Sequence, residues 1–422
     1  MPLFPNGGQN DVRANTNTRS EGTTVLVCLN SLELGGTQIN ALDLADKART
    51  HGFHPYLVGW AGPRMGLLGL ARERNVSVEV LPRAETSVGR ARALAAVAAR
   101  VRPHLVHVYG GVDARAGFWG PARWGRVPLI LTVYEMHLPR HFYRHPGLVV
   151  GTGYLADDAR SRPGPTRLIS PPVDMDRDRP GAVDPIELPH LGVSSSSIHL
   201  VMVTRVDEAM KARHIEAAIL SVRHLPPEVV LIIVGTGDAF ERLRRLAAMI
   251  NSDLGRRAVH LVGEMADPRS AYAVADIVIG MGSSAARGLS FGKPLLVIGE
   301  YGAPELFSPE TSASIFYRSF WNEDRPGSGT ASVHELLMPL VDDPAFRHRL
   351  GAYGRAFAEE SFGLDRMSER LVDLYRSITP SQSWRGGWVR DVPLDLRSAP
   401  RLLRTHASPR RLLATWAHKP RA

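Results

Sequence analysis

Two cations and two glycine-rich turns carry most of the chemistry in the second half of the chain. Arg205 and Lys211 stand on one short stretch, TRVDEAMK at 204–211, directly after the apolar run 198–203. A second apolar run, 229–234, leads into GTGD, which holds Gly235 and Gly237. A third, 276–279, leads into GMGSS, which holds Gly282, Ser283 and Ser284. Glycines let a backbone approach a ligand closely, and the helix starts behind them offer free N–H groups to an anion. Taken singly, each feature has a plainer reading. A glycine after a strand is commonly only a turn, and a loop cation is commonly only solvated. Three such loops on one edge of one sheet favour a phosphorylated ligand.

That argument requires a parallel sheet, and the patterning predicts one. In the first half, apolar runs at 24–29, 55–58, 76–81, 105–108, 129–133 and 167–169 alternate with helix-period segments at 37–50, 88–101 and 113–124. Strands alternating with helices mean βαβ units. The pattern breaks at 174–197, DMDRDRPGAVDPIELPHLGVSSSS, a linker composition. It then restarts with strands at 198–203, 229–234, 259–262 and 276–279 and helices near 213–223, 239–250, 268–274 and 285–291. The fold class expected is α/β, with two doubly wound Rossmann-like domains. Ligands of such sheets sit beyond the carboxyl ends of the strands, where these three loops lie.

Composition narrows the function. The 422 residues are 44% hydrophobic and 22% charged, a globular balance, and no apolar run is long enough to cross a membrane. The lone cysteine, Cys28, and the absence of a secretory pattern at the N-terminus point to the cytoplasm. The net charge of +9 is concentrated at 381–422, which carries +7 of it. A near-neutral remainder argues against a nucleic-acid-binding core. The basic end repeats an R-L-L unit at 401–403 and 411–413 beside Trp416, which suits weak contact with an anionic membrane face. Its prolines, Pro400, Pro409 and Pro420, favour the plainer reading of a solubilising tail or one packed on its own first domain. His137, His141 and His145 are spaced for one helix face, but Pro139 and Pro146 break that helix and no acidic or cysteine ligand joins them. No metal site is expected there; His137 is a candidate for an acceptor site between the domains.

The order of these motifs resembles the donor half of GT-B glycosyltransferases, in particular the retaining family-4 group. VTRVDEAMK is similar to that group's Gly-Arg-Leu…Lys-Gly segment, IIVGTGD to its strand and Gly-x-Gly, and VHLVGEM to its "VxFxG" strand. Tyr272–Asp276 matches "YxxAD", SFGKPLLV matches "Ala-x-Gly-Lys-Pro-Val", and GEYGAPE at 299–305 resembles its glycine-rich loop with a glutamate. In the first half, NSLELGGTQINALDLA resembles the Gly-Gly loop and first helix, LTVYEM resembles "TVHDL", and SPPVD stands where the group has "NGVD". The match runs from about 24 to 379.

The resemblance implies a nucleotide-diphosphate sugar as donor, retention at the anomeric carbon, and no metal or other cofactor. The acceptor stays open: a small molecule, a glycan or a lipid-linked compound. It implies that Arg205 and Lys211 hold the donor pyrophosphate and that Glu264–Met265 lie at the base. Gly235, Gly237, Gly282, Ser283 and Ser284 would cradle phosphates, and Gly35–Gly36 would lie where donor and acceptor meet. Tyr134 stands for the group's histidine, and a tyrosine donates a hydrogen bond but takes up no proton near neutral pH. Two glutamates of the group are absent, with Ile279 and Arg287 in their places. Arg287 then has two readings, a cation facing the nucleotide or an ordinary surface residue. The division expected is a disordered N-terminus at 1–22, an acceptor-side domain at 23–185, a donor domain at 186–360, a closing helix at 361–380 and a basic tail at 381–422. A non-catalytic descendant that binds a nucleotide or a partner, and a nucleotide-sugar epimerase of the same fold, remain as alternatives. So does a peripheral position on the inner membrane face.

Overall fold

Runs such as VVLIIV at Val229–Val234 and LILTV at Leu129–Val133 are buried along their whole length, as strands covered on both faces must be. They belong to two separate sheets. The computed structural model describes residues 22–123, 126–138, 142–187, 193–265, 267–321, 331–378 and 389–393, without the side chain of Val112. The readings made above for 1–21, His141 and 394–422 lie outside the described residues.

The first sheet is built from β1 (Thr23–Leu29), α1 (Gly36–Arg49), β2 (Phe53–Trp60), α2 (Leu67–Glu73), β3 (Val78–Leu81) and α3 (Ser87–Val101). It continues with β4 (Leu105–Tyr109), α4 (Gly111–Gly117), β5 (Leu129–Val133), β6 (Gly147–Val150), α5 (Gly153–Asp158) and β7 (Thr166–Leu168). Its order is β3-β2-β1-β4-β5-β6-β7, parallel throughout. The second sheet begins with β8 (Ile198–Val203), α6 (Ala212–Ser221), β9 (Val229–Val234), α7 (Phe240–Leu254), β10 (Val259–Gly263) and α8 (Arg269–Val274). Next come β11 (Ile277–Gly280), α9 (Ser283–Ser290), β12 (Leu295–Ile298), β13 (Pro304–Leu306) and α10 (Ser312–Tyr317). Its order is β10-β9-β8-β11-β12-β13, and only the short edge strand β13 runs antiparallel. Three further helices follow: α11 (Val333–Asp342), α12 (Pro344–Phe362) and α13 (Leu364–Ile378).

The fold class expected from the alternation of runs is borne out. In each sheet the strand order reverses at one crevice, between β1 and β4 and between β8 and β11. Those are the places where doubly wound sheets hold ligands.

The last long helix ties the two halves. Leu364, Met367, Leu371, Leu374, Tyr375 and Ile378 recur at helical spacing and enter the core of the first sheet beside Val25, Val27 and Leu29. A polar chain crosses this interface: the Tyr375 hydroxyl lies 2.7 Å from His107 Nδ1, and His107 Nε2 lies 2.6 Å from Thr132 Oγ1. Burial pushes His107 down to about 3, so it is neutral across the physiological range. The halves also touch where the Tyr317 hydroxyl of α10 donates to Asp157 Oδ2 of α5, at 3.0 Å. Beyond α13, a helical turn at 389–393 returns to the first domain. There the fully buried Asp391 accepts from the backbone N–H groups of Arg144 and His145 and faces His145 Nδ1 at 2.9 Å.

Candidate functional site

After β8 the chain turns outward and presents Arg205 and Lys211 in succession. The Arg205 guanidinium is exposed and makes no hydrogen bond or ion pair among the described residues. Lys211 is half-buried with Nζ 5.3 Å from the centre of the Trp321 ring, a cation–π contact. Burial lowers its ammonium to about 8; Arg205 pushes the same way, while Asp207 and Glu300 oppose. A poorly hydrated ammonium beside an exposed guanidinium suits an anion.

The loop holds its shape through the neighbouring turn. Glu208 N donates to Asp238 Oδ1 at 2.8 Å, Val206 N to Thr236 O and Ala239 N to Val206 O, while Met210 N donates to Asp207 Oδ1. This contact explains GTGD. A Cβ at Gly235 would strike the Thr204 carbonyl, and one at Gly237 would strike that of Val206. Gly235 also takes φ +134°. The two glycines read from the sequence as phosphate-cradling residues also make room for the backbone of the cationic loop and brace it.

The second glycine-rich turn is also partly self-contained. Gly282 adopts φ +66° before α9. Ser284 donates its hydroxyl to Met281 O at 3.1 Å, so that proton closes the turn instead of facing a ligand, and Ser284 O accepts from the Tyr272 hydroxyl. Ser283 is the exposed hydroxyl of the pair. Arg287 is partly exposed and ion-paired. Its Nε donates to Asp178 Oδ2 at 2.8 Å, and Asp178 is buried in the connector between the sheets. The residue that stands in place of a glutamate is thus engaged in joining α9 to the connector. Glu305, the carboxylate of the glycine-rich loop, is held by Arg318 Nη2 at 2.6 Å. Glu264 is exposed, and Met265 packs half-buried on the core after β10.

At the crevice of the first sheet the chemistry is neutral or acidic. Gly35 caps α1 in extended conformation, and a Cβ at Gly36 would meet nothing within 4 Å. Gly36 therefore borders open space. Tyr134 does not offer its hydroxyl there: the oxygen is buried with no partner among the described residues, and burial lifts its pKa above the ordinary tyrosine value. Its ring packs against Gly151, where a Cβ would lie 2.9 Å from Tyr134 Cδ1. His137 is exposed just past β5. His145 faces Asp391, and among the described residues no three side chains of metal-ligating type stand together.

One residue escaped the sequence reading. Glu135, beside Tyr134, accepts from Gly111 N through Oε1 at 3.1 Å, while its Oε2 is buried with no partner among the described residues. The available signal was an acidic residue directly after an apolar strand, on the side of the crevice where ligands enter.

No family model matches the chain. Over 167 residues it is 31% identical to a GDP-mannose-dependent monoacylated alpha-(1-6)-phosphatidylinositol monomannoside mannosyltransferase of Corynebacterium glutamicum. That match spans 36% of this chain and 40% of the relative's length. Among solved structures the chain is similar to Anabaena HepE in complex with UDP (TM-score 0.64, 17% identity, 84% of this chain and 100% of that one). It is similar also to a glycosyltransferase from Rickettsia africae (TM-score 0.67, 15% identity, 85% and 99%). A third is the UDP-GlcNAc 2-epimerase of Neisseria meningitidis bound to UDP-GlcNAc (TM-score 0.57, 13% identity, 84% and 100%). The architecture is GT-B, with two Rossmann-like domains, and the similarity to GT-B glycosyltransferases read from the motifs is borne out.

Proposed function

We propose that the chain is a retaining glycosyltransferase, moving a sugar from a nucleotide-diphosphate sugar to an acceptor hydroxyl. The observation that carries this reading is the pair Arg205 and Lys211, two cations that make no ion pair among the described residues, on a rigidly braced loop at the crevice of the second sheet. A pyrophosphate supplies the charge they lack. In the reaction the bond from the anomeric carbon to the β-phosphate oxygen breaks. A bond from the acceptor oxygen to that carbon forms on the same face, and the acceptor proton passes to the departing phosphate. Arg205 and Lys211 stabilise the negative charge that builds on that leaving group, and a charged site of this kind acts most strongly where water is excluded.

Thermal-shift titration with UDP, GDP, ADP and TDP identifies the base. Release of the matching diphosphate from its sugar conjugates then tests turnover. Absence of stabilisation by every diphosphate would overturn the reading. Binding without turnover under any acceptor would support the non-catalytic alternative. The epimerase reading has one observation in its favour, the likeness to an epimerase fold. It predicts conversion of the nucleotide sugar with no acceptor present, which chromatography of the sugar product detects.

A further inference from the structure

The crevice of the first sheet holds an amide donor and a buried carboxylate oxygen, neither with a partner among the described residues. Gln38 Nε2 donates to Asn30 Oδ1 at 2.7 Å and to Ser31 Oγ at 3.1 Å. This fixes the Asn30 amide with its oxygen engaged, and its Nδ2 donates to nothing among the described residues. Across from it stands Glu135, whose Oε1 is held by Gly111 N and whose buried Oε2 has no partner among the described residues. Gly110 separates the two. At its φ of +89°, a Cβ would lie 3.1 Å from Asn30 Nδ2 and 3.8 Å from Glu135 Oε1. The bare face of Gly110 therefore lies between the Asn30 amide and the Glu135 carboxylate.

We propose that Asn30 and Glu135 seat one hydroxyl of a polyol acceptor, a sugar or cyclitol. An alcohol both gives a proton and accepts one, so a single hydroxyl satisfies both groups at once. A phosphate would set negative charge against Glu135, and an ammonium could not accept from Asn30. A buried carboxylate oxygen without a partner carries a desolvation cost that such a ligand relieves. Gln38 is a positioning residue, orienting the Asn30 amide. The proposal rests on the transferase reading for the word acceptor, but the seat itself does not depend on the donor site.

The probes are methyl α-D-mannopyranoside and myo-inositol, observed by saturation-transfer NMR on the full chain with and without the diphosphate that it binds. Diphosphate affinity is measured in parallel by calorimetry. Glu135→Ala and Asn30→Ala are each expected to weaken polyol binding about tenfold, the loss of one hydrogen bond to a charged or buried group. Diphosphate affinity should stay within about twofold, since these residues lie at the other sheet. Unchanged polyol binding in both variants, or a parent that binds neither polyol, overturns the proposal. A parent that binds polyol through these residues but no diphosphate overturns the donor reading and leaves this one standing. If Glu135→Ala fails to fold, Asn30→Ala alone decides.

Discussion

The two crevices of this molecule share a topology and differ in chemistry. Each opens where the strand order reverses, between β1 and β4 in one sheet and between β8 and β11 in the other. One presents Arg205 and a partly desolvated Lys211. The other presents amides and a carboxylate, Asn30, Gln38 and Glu135. The sheet creates a place for a ligand in both cases, but the side chains on two or three loops decide what that ligand is. A cationic crevice in one sheet and a neutral-to-acidic one in the other are chemically suited to a diphosphate and to an alcohol, respectively.

The sharpest way to break the contrast is to remove a cation. Lys211→Ala or Arg205→Ala should each weaken nucleoside-diphosphate binding about 10- to 100-fold, the usual worth of a charge-assisted contact. Arg205 is exposed, so its removal should leave the melting temperature of the free protein unchanged, whereas Lys211→Ala also gives up the contact with the Trp321 ring. Gly235→Ala marks the difference between bracing and binding: its Cβ strikes the Thr204 carbonyl, so it should lower melting temperature and affinity together. Parent-like diphosphate binding by both cation variants would move the donor site elsewhere.

A smaller effect follows from the ammonium of Lys211, lowered to about 8 by burial. Diphosphate binding favours the protonated form, so affinity should fall about tenfold from pH 7 to pH 9. Stability runs the other way. Between about 8 and the ordinary lysine value of 10.5, the folded chain binds fewer protons than the unfolded one, so this group's contribution rises with pH. Calorimetric titration across that range checks the first sign, and Lys211→Arg should flatten the profile. A pH-independent affinity would mean that Lys211 does not touch the ligand.

How far these crevices could be read in advance depended on whether the cause was local. The parallel strands were legible because each is a continuous apolar run; VVLIIV and LILTV fell at their observed bounds. β6 was missed: four residues, GLVV, follow a stretch rich in histidine and proline. β13 opens on Pro304 and pairs antiparallel at the edge, so it carries no buried-strand pattern. The contacts of the candidate site that the sequence did not show share a different origin. The partner of Arg287 lies 109 positions away, and the atoms that force Gly235 and Gly237 belong to the preceding loop. Such contacts are set by the fold, and no spacing rule within a motif reports them. The Ser284 contact has a local cause, since a serine two residues into a turn often bonds its own backbone.

The Arg287 contact gives a prediction of intermediate size. Restoring a carboxylate with Arg287→Glu would set it against the buried Asp178. The position is partly exposed, so screening limits the cost to about 1 kcal/mol. Adding Asp178→Asn should recover most of that loss, because the repulsion goes with the second charge. Chemical denaturation of the three proteins measures it. If the single variant is as stable as the parent, the ion pair does not tie α9 to the connector.

The smallest effect expected concerns the basic end of the chain, and it would attach one crevice to a surface. Asp391 is fully buried against Arg144 and His145, so residues 389–393 belong to the first domain, the side on which we place the acceptor. Beyond that point the sequence holds seven arginines and lysines against one aspartate, with leucines and Trp416 interleaved. Basic residues at an anionic surface contribute about 1 kcal/mol each, and apolar neighbours add to this at the headgroup boundary. Attraction of that size is weak, reversible and salt-sensitive. It would bring the Asn30 and Glu135 crevice near a membrane, where a lipid-linked polyol is within reach. The cut that tests this must leave Asp391 in place. The full chain and one ending at Pro393 are therefore sedimented with anionic and with neutral vesicles. Binding of the full chain to anionic vesicles alone, lost on truncation and in high salt, is the expected result. Equal and negligible binding by both would remove the membrane from the picture and point to a soluble acceptor.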